Sequence, residues 1–257
     1  MKGFNSNALI DSAFGWRSIS VSNTGKVRKI NEDSCMENKE QAHWAVADGM
    51  GGHHAGDLAS QMIINNLSSL RQSADLASFI DQIEDTLLGV NENLYQLAKS
   101  RNTVIGSTIV GAVLNKAHIL LYWAGDSRGY VFRNMHLSQL TRDHTLVQDL
   151  LDENKISLEQ ARNHPEKNVI TRAVGSHQNL FVDCYMMPIK EGDIFIICSD
   201  GIEKEIDDMK LESILKNSRS LKQSAEDILD NVLNAGARDN VSFVLIEPVS
   251  LNEITRQ

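Results

Sequence analysis

The stretch VADGMGGHHAG, residues 46–56, closes an apolar run with Asp48 and then places glycines at 49, 51, 52 and 56 before a helical stripe begins. Asp-Gly directly after a strand is ordinarily a turn signal. The same arrangement returns far along the chain, where FIICSDG, residues 195–201, delivers Asp200 and Gly201. Two apolar strands that both end in a carboxylate weaken the simple turn reading.

Outward from these points, runs rich in β-branched and aromatic residues recur: SISVS (18–22), HWAVAD (43–48), STIVGAVL (107–114), HILLYWAGD (118–126), GYVFR (129–133), NLFVDCYMM (179–187), DIFIICSD (193–200) and VSFVLIE (241–247). Several are apolar at nearly every position, as expected of strands covered on both faces. Helical periodicity sets Leu58, Met62, Ile63, Leu67 and Leu70 on one stripe. It sets Phe79, Ile83, Leu87, Val90 and Leu94, with Leu76, Ile80 and Leu97, on a second. The spacing predicts that these two adjacent helices pair. A third helix begins at Ser220, where Ser220 and Gln223 read as an S-x-x-Q capping box, and ends near Gly236 as a C′ glycine. A strict βαβ alternation is absent, so an α+β layered sandwich is expected in preference to a doubly wound parallel sheet.

Only three prolines occur in 257 residues, and no Ser/Gly-rich or charged linker divides the chain, which favours one compact domain. A hydrophobic content of 42% with 23% charged residues is enough for a sizeable core. The formal charge of −9, without a dense basic run, argues against a nucleic-acid partner. Cys35, Cys184 and Cys198 form no C-x-x-C pair and suggest neither a disulfide framework nor a thiolate zinc site. The N-terminal stretch lacks a signal-type apolar segment, and no run approaches the ~20 apolar residues of a membrane span, so a cytoplasmic protein without a membrane partner is expected.

Two further carboxylates occupy comparable settings: Asp126 in LLYWAGDSRG and Asp239 in ARDNVSFVLIE. If the four converge, each pair repels by about 4 kcal/mol at about 4 Å and an effective dielectric of about 20, so cations must compensate them. Carboxylate oxygens, a carbonyl made approachable by glycine, and water are the ligand set for Mg²⁺ or Mn²⁺. His53 and His54 suit zinc poorly, because sequence neighbours diverge and no H-x-x-x-H partner exists; a place at the start of the following helix fits them better. Neither a G-x-G-x-x-G fingerprint nor a phosphate-binding P-loop is present, since His54 stands where the former needs glycine. Near the start, GKVRKINEDS (25–34) combines Arg28 with Glu32 and Asp33. Alone it reads as a charged loop, but an arginine fork beside a metal-binding cluster suits a phosphate, and the joint reading is metal-assisted phosphoester hydrolysis.

Taken together, VRKINEDS, VADGMGGHHAG, GSTIVGAVL, WAGDSRGYVFR, LTRDHTLVQ, ITRAVG, ICSDGI and ARDNVSFVLIE resemble, in order and over about residues 15–247, the bacterial form of the type 2C metal-dependent protein serine/threonine phosphatases, the PPM family. The resemblance implies a four-layer αββα sandwich of two antiparallel β-sheets flanked by helices, with a binuclear Mg²⁺ or Mn²⁺ centre at the sheet ends. Position by position, it implies that Asp48 bridges two metals and that Gly49 offers its carbonyl to one. Asp200 and Asp239 would hold the other, with Glu32 and Asp33 in support through waters. Asp126 matches the position of a third, weaker metal, and Arg28 the phosphate-binding arginine. The implied reaction is attack of a metal-activated water on phosphoserine or phosphothreonine, reversing a cognate Ser/Thr kinase, by a single catalytic domain acting as a monomer. Met50 stands where animal-type members carry a histidine proposed as general acid, which leaves the proton donor open. Residues 143–167 match the variable flap and read either as a surface helical hairpin or as an element that selects the substrate peptide. Two alternatives remain at this level: a non-enzymatic phosphoprotein-binding module of the same fold, and a hydrolase of small phosphorylated metabolites.

Overall fold

Strands that are apolar at nearly every position need cover on both faces, and the computed structural model, which describes residues 14–51, 55–72 and 75–250, supplies it with two sheets and two helical layers. The first sheet runs in the order β1 (Phe14–Asn23), β11 (Val241–Ser250), β10 (Ile194–Cys198), β7 (Arg128–Arg133) and β8 (His136–Gln139). The second runs β2 (Asp33–Asn38), β3 (His43–Gly51), β5 (Ile109–Asn115), β6 (His118–Ala124) and β9 (Asp183–Pro188), with β4 (Ile105–Ser107) added to the end of β3. Neighbouring strands pair antiparallel throughout.

Period-two alternation sorts the side chains into layers. On β3, Trp44 and Val46 point between the sheets, while Ala45 and Ala47 meet α1 (Ala55–Ser68) and α2 (Leu76–Arg101). On β10 and β11, Phe195, Ile197, Val244 and Ile246 fill the inter-sheet layer. Ile196, Phe243 and Leu245 pack instead beside residues of α5 (Asp208–Asn217) and α6 (Leu221–Ala235). Helix, sheet, sheet, helix is therefore the layer order. The Trp44 indole also donates across the inter-sheet layer to Ser18 Oγ on β1 at 3.0 Å.

Several local expectations change. β2 and β8, whose sequences are polar and short, escape the apolar-run criterion and lie beside or at sheet edges. The run 179–187 is a strand only from Asp183, and β9 is a mostly exposed edge strand. Run 107–114 is broken at Thr108, whose N–H turns to the Asp48 carbonyl at 2.9 Å. On α1, Leu58 is exposed, and Ala55, Ala59 and Ile64 take the buried stripe with Ile63 and Leu67. At α6, Ser220 Oγ accepts from the Gln223 N–H, but Gln223 Oε1 turns to the Arg219 N–H, so only half of the expected capping box forms. Gly236 is the C-cap itself, with φ +137°. A complete box occurs where Ser157 and Gln160 open α4 (Leu158–Arg162). His53 and His54 lie outside the described residues.

Trp44 is fully buried between the sheets. Its replacement by Ala is expected to cost about 3–5 kcal/mol, read as a lowered midpoint in urea unfolding of the metal-free chain; an unchanged midpoint would contradict a close-packed inter-sheet layer.

Candidate metal centre

Asp200-Gly201 directly follows β10, whereas Asp48-Gly49 lies within β3, where the strand passes on to pair with β4. Asp48 lies on β3 directly across from Asp33 on β2. Asp200 follows β10 and Asp239 precedes β11, two strands whose Cys198 and Phe243 are register partners. Asp126 sits in the β6–β7 connection, buried at 6% exposure. The acidic residues singled out in the sequence are thereby brought together, with Asp48 repelled by Asp33, Asp200 and Asp126, and Glu32 and Asp33 by Asp239.

Burial raises the Asp48 carboxyl well above its ordinary range, with Asp33, Asp200 and Asp126 adding repulsion. Burial likewise pushes Asp33 up to about 6 and Asp126 up to about 7, the latter helped by Asp200 and Asp143. Asp200 is raised by burial against the pull of Lys204, and Glu32 by burial against Arg28. Asp239 moves the other way. Burial opposes its charge, but the Lys204 ammonium, the Asn240 N–H and Arg28 hold it below the usual carboxylate range.

Close backbone crossings deliver these groups. A Cβ on Gly49 would lie 2.0 Å from the Gly56 carbonyl, and one on Gly56 would lie 2.5 Å from Glu32 Oε1. Only glycine at both positions lets the end of β3, the start of α1 and Glu32 share that space. Asn240, which the sequence reading passed over, staples the Arg28 loop: its Nδ2 donates to the Thr24 and Ile30 carbonyls at 2.9 Å, and its Oδ1 accepts from the Glu32 N–H at 2.8 Å. Ser199 Oγ donates to Asp33 at 2.8 Å, and the Asp48 N–H donates to Thr108 Oγ1, itself 2.6 Å from Ser127 Oγ.

Cations already touch part of the cluster. Arg28 approaches Asp239 with Nε at 2.8 Å and Nη2 at 3.0 Å, so the fork expected to face a phosphate engages a carboxylate, while its side chain stays 49% exposed. Lys204, unmarked in the sequence because it lies in a mixed-charge segment, bonds Asp200 at 2.5 Å and Asp239 at 2.7 Å. Among the described residues no three carboxylate, imidazole or thiolate side chains stand in a ready-made metal shell. Two oxygens are nevertheless buried without a protein partner, Asp126 Oδ1 and Asp200 Oδ1. Orphaned carboxylate oxygens in an all-oxygen cluster fit a hard divalent cation. Among the described residues no histidine bonds any of these carboxylates.

The flap contains α3 (Leu146–Asp152) and α4, and its base is closed by the Thr145–Ile170 bridge. Its root is buried: His144 accepts the Gly125 N–H beside Asp126, and Asp143 takes the Arg128 fork at 2.6–3.0 Å. Arg128 also pairs with Glu203 in the turn after Asp200.

Residues 13–152 match the family model described as Protein phosphatase 2C. The chain is 38% identical over 232 residues to a serine/threonine phosphatase stp of Listeria welshimeri, covering 87% of this chain and 92% of that one. Among solved structures, PppA of Pseudomonas aeruginosa aligns with a TM-score of 0.84 at 36% identity, covering 91% of this chain and 98% of that one. The catalytic domain of the serine/threonine protein phosphatase PstP, in complex with two manganese ions, aligns with a TM-score of 0.80 at 30% identity, covering 92% and 99%.

The raised carboxyls set a sign for pH. Asp33 and Asp126 bind protons in the folded metal-free chain that the unfolded chain has released above pH ~4, so their contribution to stability is full below that point and is lost as pH rises through about 6 for Asp33 and about 7 for Asp126; Asp48, raised well above its ordinary range, acts in the same direction. Asp239, with a lowered pKa, contributes above the ordinary carboxylate range and loses that contribution only below pH ~4. His43, kept neutral by burial, works in the opposite sense near neutrality but cancels between metal-free and metal-loaded forms. The rise in melting temperature on adding Mn²⁺ is therefore expected to be larger at pH 7.5 than at pH 5.5, by on the order of 5 °C, in scanning calorimetry. Equal rises at both pH values would mean that the cation does not bind at these carboxylates.

Proposed function

The chain belongs to the protein phosphatase 2C family and is a metal-dependent serine/threonine protein phosphatase, and from that premise we propose the residues that carry its activity. Asp48 would be shared by two divalent cations, Mn²⁺ or Mg²⁺. The Gly49 carbonyl would serve one of them, and Asp200 and Asp239 the other. Glu32 and Asp33 would support this pair through waters, and Asp126 would contribute to a third, weaker position. The single observation that supports this layout most is the pair of partnerless buried oxygens, Asp126 Oδ1 and Asp200 Oδ1, within a cluster of oxygen donors.

When bound, such cations supply Lewis acidity toward phosphoryl oxygens and a water that ionises near neutral pH. The remaining work falls to the chain. Arg28, half-exposed and held at one edge by Asp239, offers its other N–H groups to the phosphate of a substrate arriving from solvent. Asn240 fixes the loop that carries it. Met50 has no proton to give, so the proton taken by the departing alkoxide comes from a source other than the side chain at that position.

The substrates in this reading are phosphoserine and phosphothreonine proteins modified by a cognate kinase, with the flap helping to choose among them. The chain acts as a cytoplasmic monomer with one catalytic domain of about residues 15–247 and a flap insert of about 143–167. Among the described residues no helix is long and apolar enough to cross a membrane. A purely binding role is not favoured, because Asp48, Asp200 and Asp239 are all retained.

Phosphate release from a phosphothreonine peptide with added Mn²⁺ tests the reading. Asp48→Ala is expected to reduce turnover to background while far-UV circular dichroism stays that of the wild type. Arg28→Ala is expected to lower kcat/KM by about 100-fold. Wild-type turnover by Asp48→Ala at saturating Mn²⁺ would overturn the bridging assignment.

A further inference from the structure

Lys204 lies outside every motif described above, yet it makes the shortest polar contacts that Asp200 and Asp239 possess. Its backbone is fixed on several sides. The Lys204 N–H bonds the Asp200 carbonyl at 3.1 Å, closing one turn after β10. Its own carbonyl accepts from Arg238 Nη2 at 2.8 Å. The flanking side chains are anchored as well, Glu203 to Arg128 and Glu205 to the Arg238 N–H and Nε. A lysine whose root is held this way returns its ammonium to one place. The side chain is 30% exposed, which leaves it a path to solvent.

At 2.5 and 2.7 Å from the two Oδ2 atoms, the ammonium nitrogen lies at or just beyond the outer end of the ~2.0–2.6 Å at which hard divalent cations hold carboxylate oxygens. It satisfies one oxygen of Asp200 and leaves Oδ1 of that residue without a partner. An ammonium thus does half of what a divalent cation would do at the same carboxylates.

We propose that Lys204 is a resident cation of the metal centre, seated between Asp200 and Asp239 in the metal-free chain, so that loading of that position is an exchange of cations in which the ammonium swings out to solvent. This rests on the reading that Asp200 and Asp239 are metal ligands. Two consequences follow from the geometry. Lys204 holds the two carboxylates near binding separation and offsets their repulsion while no metal is bound. It also lowers the apparent affinity of that position by the fraction of molecules in which the ammonium is seated, whereas the position on Asp48 and the Gly49 carbonyl is uncontested. The chain therefore has two unequal classes of site, and Lys204 sets the gap between them.

The test is Mn²⁺ binding by titration calorimetry on the whole, chelator-treated chain, with melting curves of the same samples. Lys204→Met and, as a second neutral variant, Lys204→Gln are expected to tighten the weaker class by about tenfold and leave the stronger class unchanged. Lys204→Arg, which keeps a cation, is expected to stay near the wild type. Without metal, the neutral variants are expected to melt below the wild type, and Mn²⁺ is expected to close that gap. Neutral variants whose isotherms superimpose on the wild type, while Asp239→Asn loses the weaker class, would overturn the role of Lys204 alone. An Asp239→Asn isotherm identical to the wild type would overturn the ligand assignment and the Lys204 proposal together.

Discussion

Like charges brought together out of water are the constraint on which the rest of this molecule depends. Asp33, Asp48, Asp126, Asp200 and Asp239 come from five separate segments, and burial raises four of them while their neighbours add repulsion. No isolated loop could hold such a set, because each carboxylate would turn to solvent. A rigid frame must force them together, and cations must then make the arrangement tolerable.

The frame is the pair of sheets. Antiparallel pairing puts the end of β10 beside the start of β11, and the Asp33–Asp48 register does the same across β2 and β3. Close packing between the sheets, centred on Trp44, Phe195 and Val244, fixes one pair relative to the other. Short polar contacts then trim the aim: Ser199 on Asp33, Thr108 on the Asp48 backbone, and Asn240 on the Arg28 loop. Packing supplies the rigidity, and the polar groups supply direction.

Much of this was legible in the chain because the physics that builds strands covered on both faces also makes them apolar at most positions, as β3, β5, β6, β10 and β11 are. Asp48, Asp126, Asp200 and Asp239 could be read because each borders such a run, whereas Glu32 and Asp33 stood out only by the charge pattern around Arg28. What could not be read were contacts between distant segments. Arg28 stood out by its local charge pattern, but its partner Asp239 is 211 residues away. Lys204 sits in a mixed-charge stretch that looks like solvated surface, and Asn240 looks like a turn residue until its three loop partners are seen. β2 and β8 carried no apolar signature, since strands at or near an edge need none.

Arg128 gives the flap an independence that its position alone would not suggest. One guanidinium grips Asp143 at the flap root and Glu203 in the turn after Asp200, and the Thr145–Ile170 bridge closes the loop just beyond. The helices α3 and α4 hang outside that closure. Insertions, deletions or wholesale exchange between residues 146 and 169 would be absorbed before they reached the carboxylates. The segment is in effect a cassette, set off from the carboxylate cluster by one partly buried ion-pair network, so that its sequence can vary while the cluster stays fixed.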